Sequence, residues 1–413
     1  MRILPLSLLL TTAILFFGLK SSAQTTDDVL NILIQKGTIT QKEADSIRAE
    51  AAIKKQEAIA KEKSFPVSAG GKLFQISGYT QVRYQYFQNQ KLVPPSGFDI
   101  RRARLDFTGS FDPKWSYRLL IDFVGSSGQT GTIPASGTTL AAPTSGSLLA
   151  PTLLDAYAVY KPFGDYLKFT AGQFSIPLSL ENASPDRTLE TVDRSQVVNA
   201  LVARKGDGSN GLVDSIGNQN GRDIGIQASG SLIKFQDRSF VDYYVGLFNG
   251  AGIDVADNNK SKDVATRVVL HPLSFLSIGG SYYNGYDKFT DGTNADRFRW
   301  GGELAINYNA LAVEGEILNG QDGNTLSKHI DHEGGYAQAS YFFVPKKLQA
   351  VFKYDTYDPN TNLKNLESTY YILGINYFFN SFSKIQLDYR KADGKGAINH
   401  DNDLFSAQFQ IAF

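Results

Sequence analysis

Cysteine is absent from the sequence, Met occurs once and Trp twice, and 41 basic side chains are balanced by 41 acidic ones. Without a thiol there is no disulfide scaffold, zinc-thiolate centre or cysteine nucleophile. A net charge of zero over 413 residues argues against a nucleic-acid partner, which would need a basic face. Long apolar runs are also scarce. Only Ile3 to Leu19 approaches the roughly 20 residues of a membrane-spanning helix, and it lies at the N-terminus. Arg2 before it, the run from Leu8 to Phe17 within it, and Ser21, Ser22 and Ala23 behind it read as a signal peptide over residues 1–23. Export is expected, with no helix to anchor the mature chain.

What is plentiful is Gly (38), Tyr (21) and Phe (27), a composition of strands and turns. These residues are thin in the next segment, 24–71, which reads as a periplasmic helical hairpin and linker. Thr26 caps a first helix that Gly37 ends, and Thr40 with Glu43 forms a capping box for a second. Ala44, Ile47 and Ala51 have heptad-like spacing, but Lys54 and Lys61 interrupt the seam. A coiled coil and a solvated stalk both remain open.

From Lys72 to Phe413 the period becomes 2. Ile76, Thr80, Val82 and Tyr84 alternate with Ser77, Gln81, Arg83 and Gln85, and the pattern recurs around Trp115 to Phe123 and Phe298 to Asn307. Sixteen such segments can be drawn, mostly near the ~9 to 11 residues with which a tilted strand crosses a bilayer. Their connections alternate in length. Short ones include 111–113, 162–164, 271–272, 309–310, 345–346 and 380–381. Long ones run 88–97, 125–151, 175–221, 250–262, 285–296, 320–333, 358–366 and 393–401. Aromatics such as Trp115, Phe163, Phe275, Tyr308, Phe343 and Phe378 crowd the short turns, as an interfacial girdle requires.

A sheet in hydrocarbon must close, because unpaired backbone groups find no water there. The expected fold is therefore all-β: a 16-stranded antiparallel transmembrane barrel over 72–413, preceded by the short helical segment, with the first strand paired to the last. Sixteen strands enclose a water-filled lumen. The final strand places Phe405, Phe409, Ile411 and Phe413 toward lipid. A terminal aromatic such as Phe413 resembles the signal outer-membrane barrels present to their assembly machinery.

Three stretches carry a family resemblance: Gly97 to Leu105 (GFDIRRARL), Pro113 to Arg118 (PKWSYR) and Gly172 to Glu181 (GQFSIPLSLE). With Glu190 to Arg194 and Gly221 to Ile226, they are similar to the phosphate-selective porin O and P family. The resemblance implies an outer-membrane channel of a Gram-negative cell, a homotrimer, whose third loop, 175–221, folds into the lumen.

A phosphate filter needs cations along the lumen. Strand parity turns Arg83, Arg102, Arg104, Arg118, Lys168, Arg267, Arg299, Lys353 and Arg390 inward. It also turns inward Asp106, Asp122, Asp155, Asp223, Asp242, Glu303, Glu314, Glu316, Asp355 and Asp388, so no net basic lumen is expected. The loop, with Arg187, Glu190 and Arg194 as constriction candidates, leans slightly acidic. Arg83, Arg102, Arg104 and Arg118 could form one basic wall and a transverse field; alternatively they pair with Asp106 and Asp122 and stiffen the barrel. His329, Asp331, His332 and Glu333 lie close in a predicted surface loop, and Asp254, Asp257 and Asp263 in another, but neither set fits a strict metal motif. No cofactor, metal or catalytic group is expected. Two functions follow: passive diffusion of small hydrophilic solutes, including anions such as phosphate, or a plugged surface barrel used for binding or adhesion.

Overall fold

The computed structural model describes residues 36, 65–69, 72–89, 96–124, 151–202, 221–235, 238–288, 294–323, 329–394 and 402–413. The chain divides into two units, Met1–Lys63 and Ser64–Phe413. The expected signal peptide and helical hairpin fall in the first, outside the described residues except Lys36.

The second unit is built of strands β1 (Phe65–Ala69), β2 (Lys72–Phe87), β3 (Gly97–Ser110), β4 (Trp115–Asp122), β5 (Thr152–Tyr160) and β6 (Lys168–Ser175). The third loop follows, and then β7 (Arg222–Phe235), β8 (Arg238–Phe248), β9 (Asp263–Leu273), β10 (Leu276–Lys288), β11 (Asn294–Tyr308) and β12 (Leu311–Gly323). The chain finishes with β13 (His329–Val344), β14 (Leu348–Asp358), β15 (Ser368–Phe378), β16 (Ser383–Gly394) and β17 (Leu404–Ala412). Each strand from β2 onward pairs antiparallel with its successor, and β17 returns to β2 with Phe409 opposite Val82. Sixteen strands thus close a ring, as the alternation predicts.

β1 is an addition. It lies in the stretch read as linker and pairs with Lys72–Ile76 of β2, beyond the part of β2 that β17 uses. Pro66 cannot donate a ladder hydrogen bond, so a short edge position suits it.

At the seam, the Phe413 amide donates to the Gly78 carbonyl at 2.9 Å and the Gly78 amide donates back at 3.0 Å. A side chain at Gly78 would meet the Arg104 carbonyl at 2.5 Å and the Phe413 ring at 2.7 Å. Outward positions such as Ile226, Val245, Leu373 and Ile375 are exposed apolar side chains, which a lipid-facing band requires. Aromatic pairs mark the short-turn end, with Trp115 against Tyr160 at 4.6 Å and Phe275 against Tyr308 at 5.5 Å.

Several expected boundaries shift. The long connections 285–296 and 320–333 shorten to 289–293 and 324–328, because β10 to β13 run further than their alternation reveals. Near those ends both faces carry polar side chains, so no apolar period survives to mark the strand. The short turn placed at His271-Pro272 lies instead at 274–275, with both residues inside β9 beside a register shift against β10. A bulge is where a strand tolerates proline.

Gly172 has φ +131, and a Cβ there would collide with the Ala156 carbonyl oxygen of β5. Gly172→Ala is expected to cost about 1–3 kcal/mol from the forced backbone alone. A lower temperature for conversion of the folded band on semi-native gels would register it.

Candidate pore constriction

Residues of the third loop hydrogen-bond to inner-face side chains of β12, β14 and β16. The loop's described part holds a helical turn, α1 (Leu180–Ala183), a 3-10 turn (Asp186–Thr188) and a second short helix, α2 (Gln196–Leu201). Ser179 caps α1 from φ +79, its hydroxyl accepting from the Asn182 amide at 3.1 Å and donating to Glu316 at 2.9 Å. Two bonds hold a backbone conformation that serine seldom adopts. Ser195 caps α2 from an extended backbone, its hydroxyl accepting from the Val198 amide.

Carboxylates on the far wall receive the loop's unpaired amides. Glu316 accepts from Leu180 at 3.2 Å, Asp388 from Val192 at 2.6 Å and Asp355 from Gln196 at 3.0 Å. Lys353 of β14 meets Glu181 at 2.5 Å, and both are almost fully buried. Lys384 donates to the Leu189 carbonyl at 2.9 Å. The second half of the loop is apolar: Val197, Val198, Leu201 and Val202 are buried against Phe248, Leu318, Tyr336 and Tyr357. One side of the lumen is therefore packed core, not water.

On the opposite side, β2 to β7 present cations. Arg83 pairs with Asp99 at 2.6 Å and reaches loop residue Asp193 at 3.3 Å. Arg102 contacts Asp186 of the 3-10 turn at 3.2 Å; Arg104 binds Asp186 too and holds Asp122 at 2.7 Å. Arg118 grips Asp106 through two hydrogen bonds, at 2.7 and 2.8 Å, and reaches Asp155 at 3.0 Å. Lys168 sits at the short-turn end, 3.1 Å from Asp165. Arg83, Arg102, Arg104, Arg118 and Lys168 thus each meet at least one carboxylate, Asp106 and Asp122 among them.

Among the constriction candidates, Arg194 also binds Asp186 and ties the loop to itself through the Ser184 carbonyl at 2.9 Å. Burial, then the nearby Arg102, pulls its guanidinium down to about 9, which leaves it charged at neutral pH. Arg187 is exposed into the lumen. Glu190 is docked on the far wall, accepting from Gln349 at 2.6 Å and from Gln338 and Ser340 at 2.9 Å each.

Parity misses several lumen charges. A bulge where Gln81 and Val82 face Arg102 and Ile100 leaves Arg101 unpaired in the ladder, and Arg101 reaches Asp193 at 3.2 Å. Arg222, at the first residue of β7, binds Asp155 at 2.6 Å. Arg297, Lys384, Asp263 and Asp322 are also buried on the inner face. With these four cations and two carboxylates the wall is near neutral, but its charges are segregated.

The suggested metal clusters do not assemble. His329 to Glu333 belong to strand β13, not to a loop, and alternation sends them to opposite faces. His332 turns inward, 3.2 Å from Asp322, while Asp331 accepts from the side chain of Gln321 at 2.8 Å. Asp263 is buried against Tyr283, whereas Asp257 pairs with Lys262 at the surface.

Two adjoining cavities run between loop and basic wall. The larger, about 650 Å3, opens toward the short-turn end and is lined by Lys161, Lys168 and Arg118. The smaller, about 140 Å3, lies at the loop tip among Arg104, Arg118, Arg187, Arg194 and Arg222, with Asp106 and Asp186 as its carboxylates. Arg118, Ser175 and Ala183 line both.

Solved structures with this fold include an anion-selective porin from Comamonas acidovorans, 13% identical with TM-score 0.58, covering 83% of this chain and 100% of that one. The outer membrane channel DcaP of Acinetobacter baumannii is 10% identical with TM-score 0.57, covering 85% and 99%. OmpT of Vibrio cholerae, an outer membrane protein, is 12% identical with TM-score 0.55, covering 84% and 100%. No curated protein matches the sequence. The family model described as phosphate-selective porin O and P matches residues 74–413, the closed barrel but for the first two residues of β2. This chain belongs to the phosphate-selective porin O and P family.

Proposed function

We propose that this outer-membrane porin passes small hydrophilic solutes by passive diffusion and favours anions, phosphate among them. The observation that carries the reading is the lining of the path beside the loop tip. Five guanidinium groups face two carboxylates around the smaller cavity, while the far wall's Glu316, Asp355 and Asp388 are turned onto loop amides. An ion on this path meets the basic wall and is shielded from much of the acidic one. In a narrow, low-dielectric passage such segregation acts even where the summed charge is near zero.

The Comamonas acidovorans porin is itself named anion-selective, and a Vibrio cholerae OmpT structure is named a trimer form. We extend both properties to this chain, with residues 1–23 removed on export and Phe413 offered to the barrel assembly machinery. Reversal potentials across a planar bilayer under a KCl gradient test the selectivity. A sign corresponding to chloride preference is expected, and reduced by Arg118→Ala; cation preference unchanged by Arg102→Ala and Arg104→Ala would end the anion reading.

A further inference from the structure

The outer face of β12 to β14 carries a groove of about 460 Å3 toward the long-loop end. Its floor is low because β13 turns Gly335 and Ala337 outward, whereas the residues paired with them, Ile317 of β12 and Tyr354 of β14, stand up as its banks. Both banks are exposed, as lipid-facing side chains are. A Cβ at Gly335 would meet the Glu316 carbonyl oxygen at 2.6 Å, so the ladder itself keeps that part of the floor bare.

The groove does not stay apolar along its length. Tyr354 packs edge-on against Tyr371 at 5.5 Å, an aromatic pair of the kind that marks the limit of the apolar band. Beyond it the lining turns to Glu333, Asp358 and Glu367, and no basic side chain lines the groove. Alternation puts Glu333 on the face of Gly335 and Asp358 on the face of Tyr354. The two carboxylates are direct partners in the β13–β14 ladder, where like charges repel. Asp358 accepts from the Asn360 amide at 2.9 Å, a neutral donor, and among the described residues neither it nor Glu333 meets a cation. Nor do the described residues bring three acidic or imidazole side chains together in a way that could hold a metal ion. An organic cation fits this rim better.

We infer that the groove binds a membrane lipid whose head carries a primary ammonium. The acyl chain lies over Gly335 and Ala337 between Ile317 and Tyr354, and the ammonium, with three donors and no acceptor, bridges Glu333 and Asp358. Each half of such a molecule meets its complement, the chain within the apolar band and the head just past it. The volume is that of small-molecule sites, about 300–1,000 Å3. Thr361 and Glu367 bring the β14–β15 loop into the same lining, and the Thr361 amide donates to the Asp331 carbonyl at 2.9 Å. A seated lipid therefore also contacts that loop. The site is independent of which ions the lumen prefers.

Native mass spectrometry of the full-length protein in detergent, offered phosphatidylethanolamine or phosphatidylglycerol with identical chains, tests the inference. The two lipids share a phosphate and differ in the ammonium. Phosphatidylethanolamine is expected to be retained about tenfold over phosphatidylglycerol, the scale of one charge-assisted hydrogen bond. That preference should vanish in Glu333→Gln combined with Asp358→Asn, which keeps both shapes and relieves their repulsion. Retention of both lipids should fall several-fold in Ala337→Trp, which fills the floor from an exposed position. Equal retention of the two lipids by the wild type, or a preference unchanged in the double variant, overturns the inference. Tighter retention of phosphatidylglycerol with magnesium than of phosphatidylethanolamine does so too, since the rim would then be a metal bridge. Loss of the oligomer in Ala337→Trp would overturn it in favour of a contact between copies. Should Ala337→Trp fail to fold, the double variant decides alone.

Discussion

Lys353→Met is expected to loosen the constriction and raise both the mean conductance and its noise. Lys353 is fully buried on β14, 2.5 Å from Glu181 on α1, with the Tyr336 ring 4.4 Å from its ammonium. Met fills most of the same volume, so packing changes little. What changes is charge: Glu181 keeps only backbone donors such as Ser195, at 2.7 Å. Removing one partner of a buried pair typically costs about 3–5 kcal/mol, because the remaining charge has neither water nor counter-ion. At roughly tenfold per 1.4 kcal/mol, that shifts the seated loop about 100-fold or more toward detachment. Lys353→Met combined with Glu181→Gln should recover most of the loss, since no lone charge is then buried. Single-channel recordings of the three proteins decide it; equal noise in Lys353→Met and wild type would mean that the apolar half of the loop alone holds the seat.

The barrel was legible because hydrocarbon allows few solutions. Lipid selects apolar side chains at every second position, so Val82, Leu119, Leu373 and Phe409 mark the wall with no knowledge of partners. Where that selection stops, the pattern stops: Asp322, His329 and Asp331 stand on strands that continue past the apolar band, and read as loop. The inner face is harder. Nothing in strict alternation shows that a bulge turns Arg101 inward, nor that Arg222 faces the lumen from the first position of β7.

The loop was half legible. Its charges, Arg187, Glu190 and Arg194, stood out, but their roles divide: Arg194 braces the tip, Arg187 faces the passage and Glu190 is docked on glutamine and serine side chains. The apolar stretch Val197 to Val202 carried a signal in Ser195, a helix cap followed by a valine pair. Its burial against Phe248, Leu318 and Tyr336 depends on residues far away in sequence, so no local reading could supply it.

Excision of residues 179–202 should separate an eyelet from a plug. That segment carries Glu181, Asp186, Glu190 and Asp193 against Arg187 and Arg194, so its loss makes the lumen two charges more positive. Selectivity nevertheless should weaken. Removal bares Glu316, Asp355 and Asp388 on one wall and widens the passage, so ions can travel away from the arginines of the other. Screening at physiological salt confines an exposed charge's influence to about 8 Å. An eyelet therefore predicts a wild type that already conducts, and a variant with several-fold higher conductance and a permeability ratio nearer unity. A plug predicts the opposite order, a silent wild type that opens only on excision. The far wall would then have to hold the whole lumen shut; yet the cavities of about 650 and 140 Å3 lie on the other side of the loop, against β2 to β7, where the ion pairs of its described residues run through Asp186 and Asp193. A seat so one-sided constricts the bore beside it, and conductance before excision is the measurement on which that asymmetry stands.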